Sequence, residues 1–409
     1  MSGGDGTGPL SIAVVIESFD PAAGGNERST AQTIDELAKR GHRVTLITGC
    51  CAVADEPAGA AVRAMSRRRS SSVFRLMRFS RWAQRELAAG GFDTSLSVTM
   101  AVPAAVLQPR GGTVRETLNR NVAMRGGGWA GRKKAAEVAL DPKQRLLLSL
   151  ERRTLADPAV RRVVALSRYV VRQLDEHHAF PADRMTVIPN AAVMPTPPED
   201  ERQAWREAVR AEHGVIPGAG ATLLLFAAQN PKLKGYATLL GALRRLRNAG
   251  ADVAALLAGG FPTEIAEERS RLAKLGFSDI APMLRPVGPT QSMVRLYAAA
   301  DVTVLPSWYD PSSKVILESL MMSTPAISTA YNGASDHLEP PDGPPRGVVV
   351  ADPADAEGLA AAVQRLMDPA FHASCIAACD GLAERLSMIR HIDALEQVLQ
   401  ESVRDKSRG

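Results

Sequence analysis

The densest group of reactive side chains in the sequence is Asp310-Pro311-Ser312-Ser313-Lys314-Val315-Ile316-Leu317-Glu318, two acids with seven residues between them. A strand-length apolar run at 302–305 precedes it, and helical spacing over 315–322 follows. Asp310 is therefore expected in a loop at a strand's carboxyl end, with Glu318 about a turn into a helix. The amides of Ser312, Ser313 and Lys314 would then sit at the helix N-terminus, where unpaired N–H groups and the helix dipole favour an anion. Carboxylates accept from hydroxyls, so one loop offers polyol recognition at both ends and anion binding between them, which is what a nucleotide-sugar requires. Taken singly, Asp310 also suits an Asp-Pro turn and Glu318 a solvated helix acid.

Three further loops hold candidates. Asn230-Pro231-Lys232-Leu233-Lys234-Gly235 follows the apolar run 222–226. Two lysines there would aim positive charge at a phosphoryl group, the plain alternative being a solvated surface pair. Gly24 and Gly25 stand between a first strand, 12–16, and a helix, 28–40. Glycines at that place let backbone approach a ligand, and a simple turn would use them equally well. The pair does not form G-x-G-x-x-G, so hydride chemistry loses ground. Gln108-Pro109-Arg110-Gly111-Gly112 presents an arginine that suits either an anionic acceptor or an interdomain salt bridge.

The elements positioning these loops alternate. Strand 12–16, a glycine-bearing loop, helix 28–40, Gly41 and strand 43–48 form a βαβ unit, hence a parallel sheet. Runs 94–98 and 162–166 supply later strands, and the proline-rich stretch 188–198 reads as a linker. Strands at 222–226, 253–257 (ending at Gly259-Gly260), 302–305 and 325–329, with helices between them, repeat the pattern. The expected fold is α/β: two Rossmann-like doubly wound domains facing across a cleft, with ligands at the carboxyl ends of the strands. The expected domains are residues 1–190 for an acceptor, 191–385 for a nucleotide-sugar donor, and a C-terminal helix in 386–409 packing back toward the first.

In this order and context the loops resemble those of glycosyltransferases of the two-Rossmann-domain (GT-B) type, retaining family 4, also known as glycosyl transferases group 1. Gly24-Gly25-Asn26-Glu27 resembles the family's G-G-x-E, and Arg40-Gly41-His42-Arg43-Val44 its R-G-H-x-V. Val187-Ile188-Pro189-Asn190 resembles V-I-P-N, and Lys234-Gly235 the K-G of the donor loop. The stretch from Tyr297 through Asp301 to Pro306-Ser307 resembles Y-x-x-A-D-x-x-x-x-P-S, residues 310–318 stand at E-x(seven)-E, and Pro325-Ala326-Ile327 at P-V-I. The likeness runs over nearly the whole chain. The Lys232–Lys234 and Tyr309–Ser313 loops look most like those of lipopolysaccharide-core heptose glucosyltransferase I.

The resemblance implies transfer of a hexose, glucose in the first instance, from a UDP-sugar to a glycan or lipid-linked saccharide such as lipopolysaccharide core. Lys234 and Lys232 would neutralise the diphosphate, Glu318 would hold the ribose, and Asp310, one methylene shorter than the usual Glu, would bind the donor sugar. Gly24, Gly25, Asn230, Gly260, Ser312, Ser313 and Lys314 join Glu318 as donor-binding residues. Glu27, Arg110, Gly111 and Gly112 fall on the acceptor side. Retention implies front-face attack. No D-x-D motif occurs, so neither a divalent metal nor another cofactor is expected. A nucleotide-sugar epimerase, a sugar-phosphate synthase and a non-catalytic nucleotide-sugar-binding protein remain alternatives on the same fold.

Charge divides the chain. Residues 1–195 hold 28 Lys and Arg against 18 Asp and Glu, and residues 196–409 hold 21 against 26. From Pro57 to Arg85 there is no acid, and Arg63, Arg67, Arg68, Arg69, Arg75, Arg78, Arg81 and Arg85 alternate with Phe74, Leu76, Met77, Phe79 and Trp82. Residues 63–85 are expected to meet an anionic membrane surface, with a solvated basic loop and nucleic acid as rivals; no nucleic-acid partner is expected. Four cysteines in a chain of this length read as reduced thiols. No basic-then-apolar leader is visible, and no apolar run reaches the roughly 18 residues of a membrane span. The expected place is the cytoplasm, with a peripheral position on the inner face of the cell membrane.

Overall fold

The structure is a computed structural model of the 409-residue chain, and it describes residues 8–21, 25–50, 59–66, 71–215 and 221–408. The chain forms two compact units. The first runs through Pro189 and takes in the residues from Ile389 onward; the second is Asn190–Met388.

The first unit contains β1 (Ser11–Ile16), α1 (Gly25–Lys39), β2 (Arg43–Thr48), β3 (Ala60–Ala64), α2 (Ser72–Ala89), β4 (Thr94–Ser97), β5 (Val106–Leu107), α3 (Val114–Ala123), α4 (Trp129–Leu140), α5 (Pro142–Ala156), β6 (Arg162–Ala165), α6 (Arg168–His178) and β7 (Met185–Val187). Its parallel sheet has the order β3-β2-β1-β4-β5-β6-β7. β1 is buried on both faces, as a parallel strand covered by helices must be, which is why it reads as an unbroken apolar run. The order reverses between β1 and β4, and in an open α/β sheet that reversal opens a crevice at the strands' carboxyl ends.

The second unit contains α7 (Glu199–Glu212), β8 (Thr222–Ala228), α8 (Tyr236–Asn248), β9 (Val253–Gly259), α9 (Ile265–Leu275), β10 (Leu284–Gly288), α10 (Met293–Ala299), β11 (Val302–Val304), α11 (Lys314–Met321), β12 (Ala326–Thr329), β13 (Gly347–Val350), α12 (Ala356–Met367), α13 (Pro369–Ala378) and α14 (Leu382–Arg385). Its sheet order is β10-β9-β8-β11-β12-β13, all parallel, with the reversal between β8 and β11. Asp301 anchors the start of β11. It accepts from Arg206, from Arg210 at 2.6 Å and from the Leu223 amide at 2.7 Å, so one carboxylate ties α7 to two strands.

The last helix, α15 (Met388–Arg408), packs on the first unit. Ile392, Leu395, Val398 and Leu399 are buried. Arg40 pairs with Asp393 and Glu396 at 2.7 and 2.8 Å, and Arg162 with Asp405 at 2.9 Å.

The stretch 57–85 divides between β3 and α2. Arg67, Arg68 and Arg69 lie outside the described residues. Of the rest, Arg63 sits in β3, pairs with Glu86 at 3.1 Å and lies over the Phe92 ring. Leu76 and Phe79 point into the core, and Phe74 alone of the interleaved apolar side chains is largely exposed. The apolar stripe of α2 is consumed by the sheet it covers. Cys375 and Cys379 are buried, and burial pushes the Cys379 thiol up to about 12. Among the described residues no helix is long and apolar enough to cross a membrane.

Candidate active site

In the second unit the sheet reversal brings together the loops after β8 and β11. The first is a tight turn, with Asn230 Oδ1 accepting from the Leu233 amide at 3.3 Å and Asn230 O from the Lys234 amide at 3.2 Å. Gly235 ends the turn at φ +81°, and any side chain there would run into the carbonyl oxygen of Pro306 in the neighbouring loop. The Trp308 amide donates to Leu233 O at 2.9 Å, so the two loops share a backbone hydrogen bond. Gly260, at the end of β9, donates its amide to Ala228 O at 2.8 Å and lies against the backbone of Gln229. Its glycine serves this close approach of two chain segments.

Lys234 and Asp310, 76 residues apart, meet here as an ion pair, Lys234 Nζ donating to Asp310 Oδ2. The other carboxylate oxygen of Asp310 accepts from the Ser312 amide at 3.1 Å. Lys232 lies on the turn before Lys234, and Lys314 is the first residue of α11. Ser313 precedes α11, and its amide is taken at 3.2 Å by Asn332 Oδ1. The Ser312 hydroxyl oxygen is buried without a protein hydrogen-bond partner. Glu318 lies on α11 and accepts from the fully buried Tyr297 hydroxyl at 2.8 Å. Burial, reinforced by the Glu318 charge, pushes that phenol well above its ordinary value, so it stays a donor.

Asn332 is a residue that the sequence reading missed. It is buried, accepts from Ser313 and Ala334, donates to Ser328 Oγ at 2.8 Å, and bridges to Asp310 through the backbone. Its only sequence signal is its place just beyond β12, a strand's carboxyl end.

In the first unit, the crevice between β1 and β4 opens into a cavity of about 450 Å³ lined in part by Glu17, Ser18, Asn26, Glu27, Thr99 and Gly111. Gly24 lies outside the described residues. Gly25 opens α1 with open space beside its Cα, and Gly112 turns the 108–112 loop at φ +67°. Arg110 belongs to this loop. Its Nε donates to Gln108 Oε1 at 3.1 Å, Nη2 to Thr33 Oγ1 at 3.0 Å and Nη1 to Asn26 O at 3.5 Å, all neutral acceptors. Desolvation lowers its pKa to about 10. The salt bridge offered as an alternative for Arg110 is not among these contacts. The Gln108 amide nitrogen beside it is buried without a partner.

A second set of residues, absent from the sequence reading, fixes where α3 begins. The buried Glu151 of α5 accepts from the amides of Val114 and Arg115 and pairs with His178 at 3.0 Å. Gln173 accepts from the Thr113 amide at 3.0 Å. The chain after the 108–112 loop is thus held from α5 and α6.

Parts of the chain are similar to known proteins. Residues 23–192 match the family described as Glycosyltransferase Family 4, and residues 221–369 the one described as Glycosyl transferases group 1. A D-inositol 3-phosphate glycosyltransferase of Nocardia farcinica is 31% identical over 208 residues, 48% of this chain and 44% of that protein. A lipopolysaccharide core biosynthesis glycosyltransferase of Rhizobium meliloti is 30% identical over 188 residues, 46% of this chain and 48% of that protein. The chain spans about half the length of these curated relatives. Among solved structures, WaaG, a glycosyltransferase involved in lipopolysaccharide biosynthesis, superposes with TM-score 0.69 at 17% identity over 95% of this chain and 99% of its own. Anabaena HepE in complex with UDP and glucose gives 0.65 at 16%, over 96% and 99%. At such identities the likeness is one of fold, the GT-B fold.

Proposed function

This chain belongs to the glycosyltransferases of group 1 and family 4, and from that premise we propose that it moves a hexose from a nucleotide-sugar to a saccharide acceptor with retention and without a divalent metal. UDP-glucose is the first donor to test, and a glycan or lipid-linked saccharide the first acceptor. The observation that carries the reading is the contact of Lys234 with Asp310 where the β8 and β11 loops meet. A lysine and an acid adjoining a helix N-terminus supply a counter-charge for a diphosphate and an acceptor for sugar hydroxyls. When the donor enters, Lys234 turns to the diphosphate and frees Asp310 for the hexose, while Glu318, aligned by Tyr297, takes the ribose. Lys232 adds charge to the same turn.

The anomeric C–O bond to the leaving phosphate breaks and a bond to the acceptor oxygen forms on the same face, the leaving phosphate oxygen taking the acceptor's proton. The protein's share is charge stabilisation and positioning. Glu17, Asn26, Glu27 and Thr99 supply hydrogen-bonding groups for a polyol in the first-unit cavity. Arg110, held only by neutral groups, supports an acceptor bearing a phosphate or carboxylate. The relative named for inositol 3-phosphate fits an anionic acceptor, and the one named for lipopolysaccharide core fits a glycan.

Thermal-shift screening of nucleotide-sugars tests the donor half, because a ligand specific for the folded state raises its melting temperature. Incubation with labelled UDP-glucose and lipid-glycan or polyol-phosphate fractions tests transfer. Label confined to the donor and its epimer overturns the transfer reading. Donor binding unchanged in Glu318→Ala overturns the ribose assignment.

A further inference from the structure

Helices α3, α4 and α5 line a second cavity, open to solvent on one side and about 750 Å³ in volume. Its walls are Leu118, Val122, Val138 and Leu148 with the alanines between them, and Arg115, Asn119 and Arg145 also line it. α4 crosses it as a nearly unsupported helix: its one buried residue is Gly131, whose Cα lies so close to the carbonyl of Gly126 that no side chain fits. Trp129 at its start and Leu140 at its end are each 76% exposed. A large apolar cavity beside exposed Trp and Leu is apolar surface that the fold leaves unburied, and such surface marks an interaction site.

The charge around it has one sign. Residues 114–156 hold ten Lys and Arg against four acids, and all four acids are engaged within the unit. Glu116 receives the Tyr169 hydroxyl at 2.8 Å and His177 at 3.0 Å. Glu151 caps α3, Asp141 caps α5 through the Lys143 amide at 2.7 Å, and Glu137 pairs with Lys134 at 3.4 Å. Arg115, Arg132 and Arg145 are exposed, and Lys133 lies over the Trp129 ring at 5.4 Å. A nucleic acid would satisfy the cations and leave the cavity empty. A second copy of this chain would bring the same positive charge.

We infer that this cavity is a binding site for an anionic lipid, its acyl chain between α3, α4 and α5 and its head group on the surrounding arginines. The site adjoins the candidate acceptor cavity. Val114 and Leu147 line the smaller cavity, and the next residue on each helix, Arg115 and Leu148, lines the larger one. A lipid seated here stands on the adjoining face of the same two helices. The inference places a lipid contact at residues 114–148, apart from residues 63–85, of whose apolar side chains Leu76 and Phe79 are in the core.

The test uses the full-length protein. It is sedimented with vesicles of phosphatidylcholine alone and of phosphatidylcholine with phosphatidylglycerol, and titrated with lysophosphatidylglycerol below its micellar concentration while Trp fluorescence is followed. Retention on the anionic vesicles and saturable binding of the single-chain lipid are expected. Ala139→Trp, which fills the cavity from an exposed position, and Val138→Asp, which places a charge in it, should each abolish single-chain binding. Arg115→Ser and Arg145→Ser should each weaken vesicle binding by about fivefold, as loss of one cation near an anionic surface does. Equal retention on neutral vesicles, unchanged single-chain binding in both cavity variants, or self-association that Trp129→Ala breaks would each overturn the inference. Melting temperature and UDP-sugar binding of the same samples check the fold and report separately on the transfer reading.

Discussion

At the scale of single residues, long-range pairs decide what the candidate groups can do. Lys234 has an acid to leave before it can serve a diphosphate. Lys234→Ala should therefore weaken nucleotide-sugar binding by tenfold or more, the loss of a charge-assisted bond worth about 1.5–3 kcal/mol; isothermal titration measures it. Tyr297→Phe removes the hydroxyl that aligns Glu318 at 2.8 Å. Donor KM should rise more than kcat falls, because the contact lies on the expected ribose side and away from the bond that breaks. Asp301 gives a pH prediction. Burial alone would raise its pKa, but Arg206, Arg210 and the Leu223 amide outweigh burial and lower it from 3.8. A lowered carboxylate pKa stabilises the fold above its unfolded value, and that stability is lost as pH falls through the folded value. The melting-temperature gap between the native chain and Asp301→Asn should thus be full at pH 7 and shrink below about pH 4.

At the scale of elements, the sequence reading located most of the strands within a few residues but fewer than half of the helices, and left 114–156 blank. The reason lies in the helices themselves. α1, α2 and α8 each bury one face on a sheet, so their apolar residues recur at helical spacing. α4 is exposed on almost every side and has no buried face to imprint a period. The α2 stripe was legible, but its direction was not: the same Arg-and-apolar alternation suits a helix lying on a membrane or one lying on its own sheet. At the turn before α8, Gly235→Ala should cost about 1–3 kcal/mol, since it forces a side chain into positive φ against Pro306. Chemical denaturation would register this cost, and donor binding should fall with it because Lys234 lies in the turn that Gly235 ends.

For the whole molecule, the chain leaves the first unit at Pro189 and returns to it at Ile389. Ile392, Leu395, Val398 and Leu399 are buried on return. At about 2 kcal/mol for each buried side chain, the last helix contributes on the order of a domain's entire net stability. A chain ending at residue 388 should lose the first unit's hydrogen-exchange protection while the second unit keeps its own; equal protection in both would contradict this ledger. The charge division also acquires a location. The excess of Lys and Arg in residues 1–195 is concentrated partly in 114–156, where all four acids are already spent inside the unit.

The sequence by itself determined the two parallel α/β sheets and the loops that bear Lys232, Lys234, Arg110, Asp310 and Glu318. Apolar periodicity, glycine turns and strand–loop–helix order are local properties, written within a dozen residues. Tertiary structure alone decided that Lys234 meets Asp310 across 76 residues, that Tyr297 and Asn332 support Glu318 and the Ser313 amide, and that the apolar face of α2 turns inward. It also decided that α3, α4 and α5 leave an apolar cavity between them. Such pairings depend on sheet order and on which face each helix buries, and neither is encoded in any one segment.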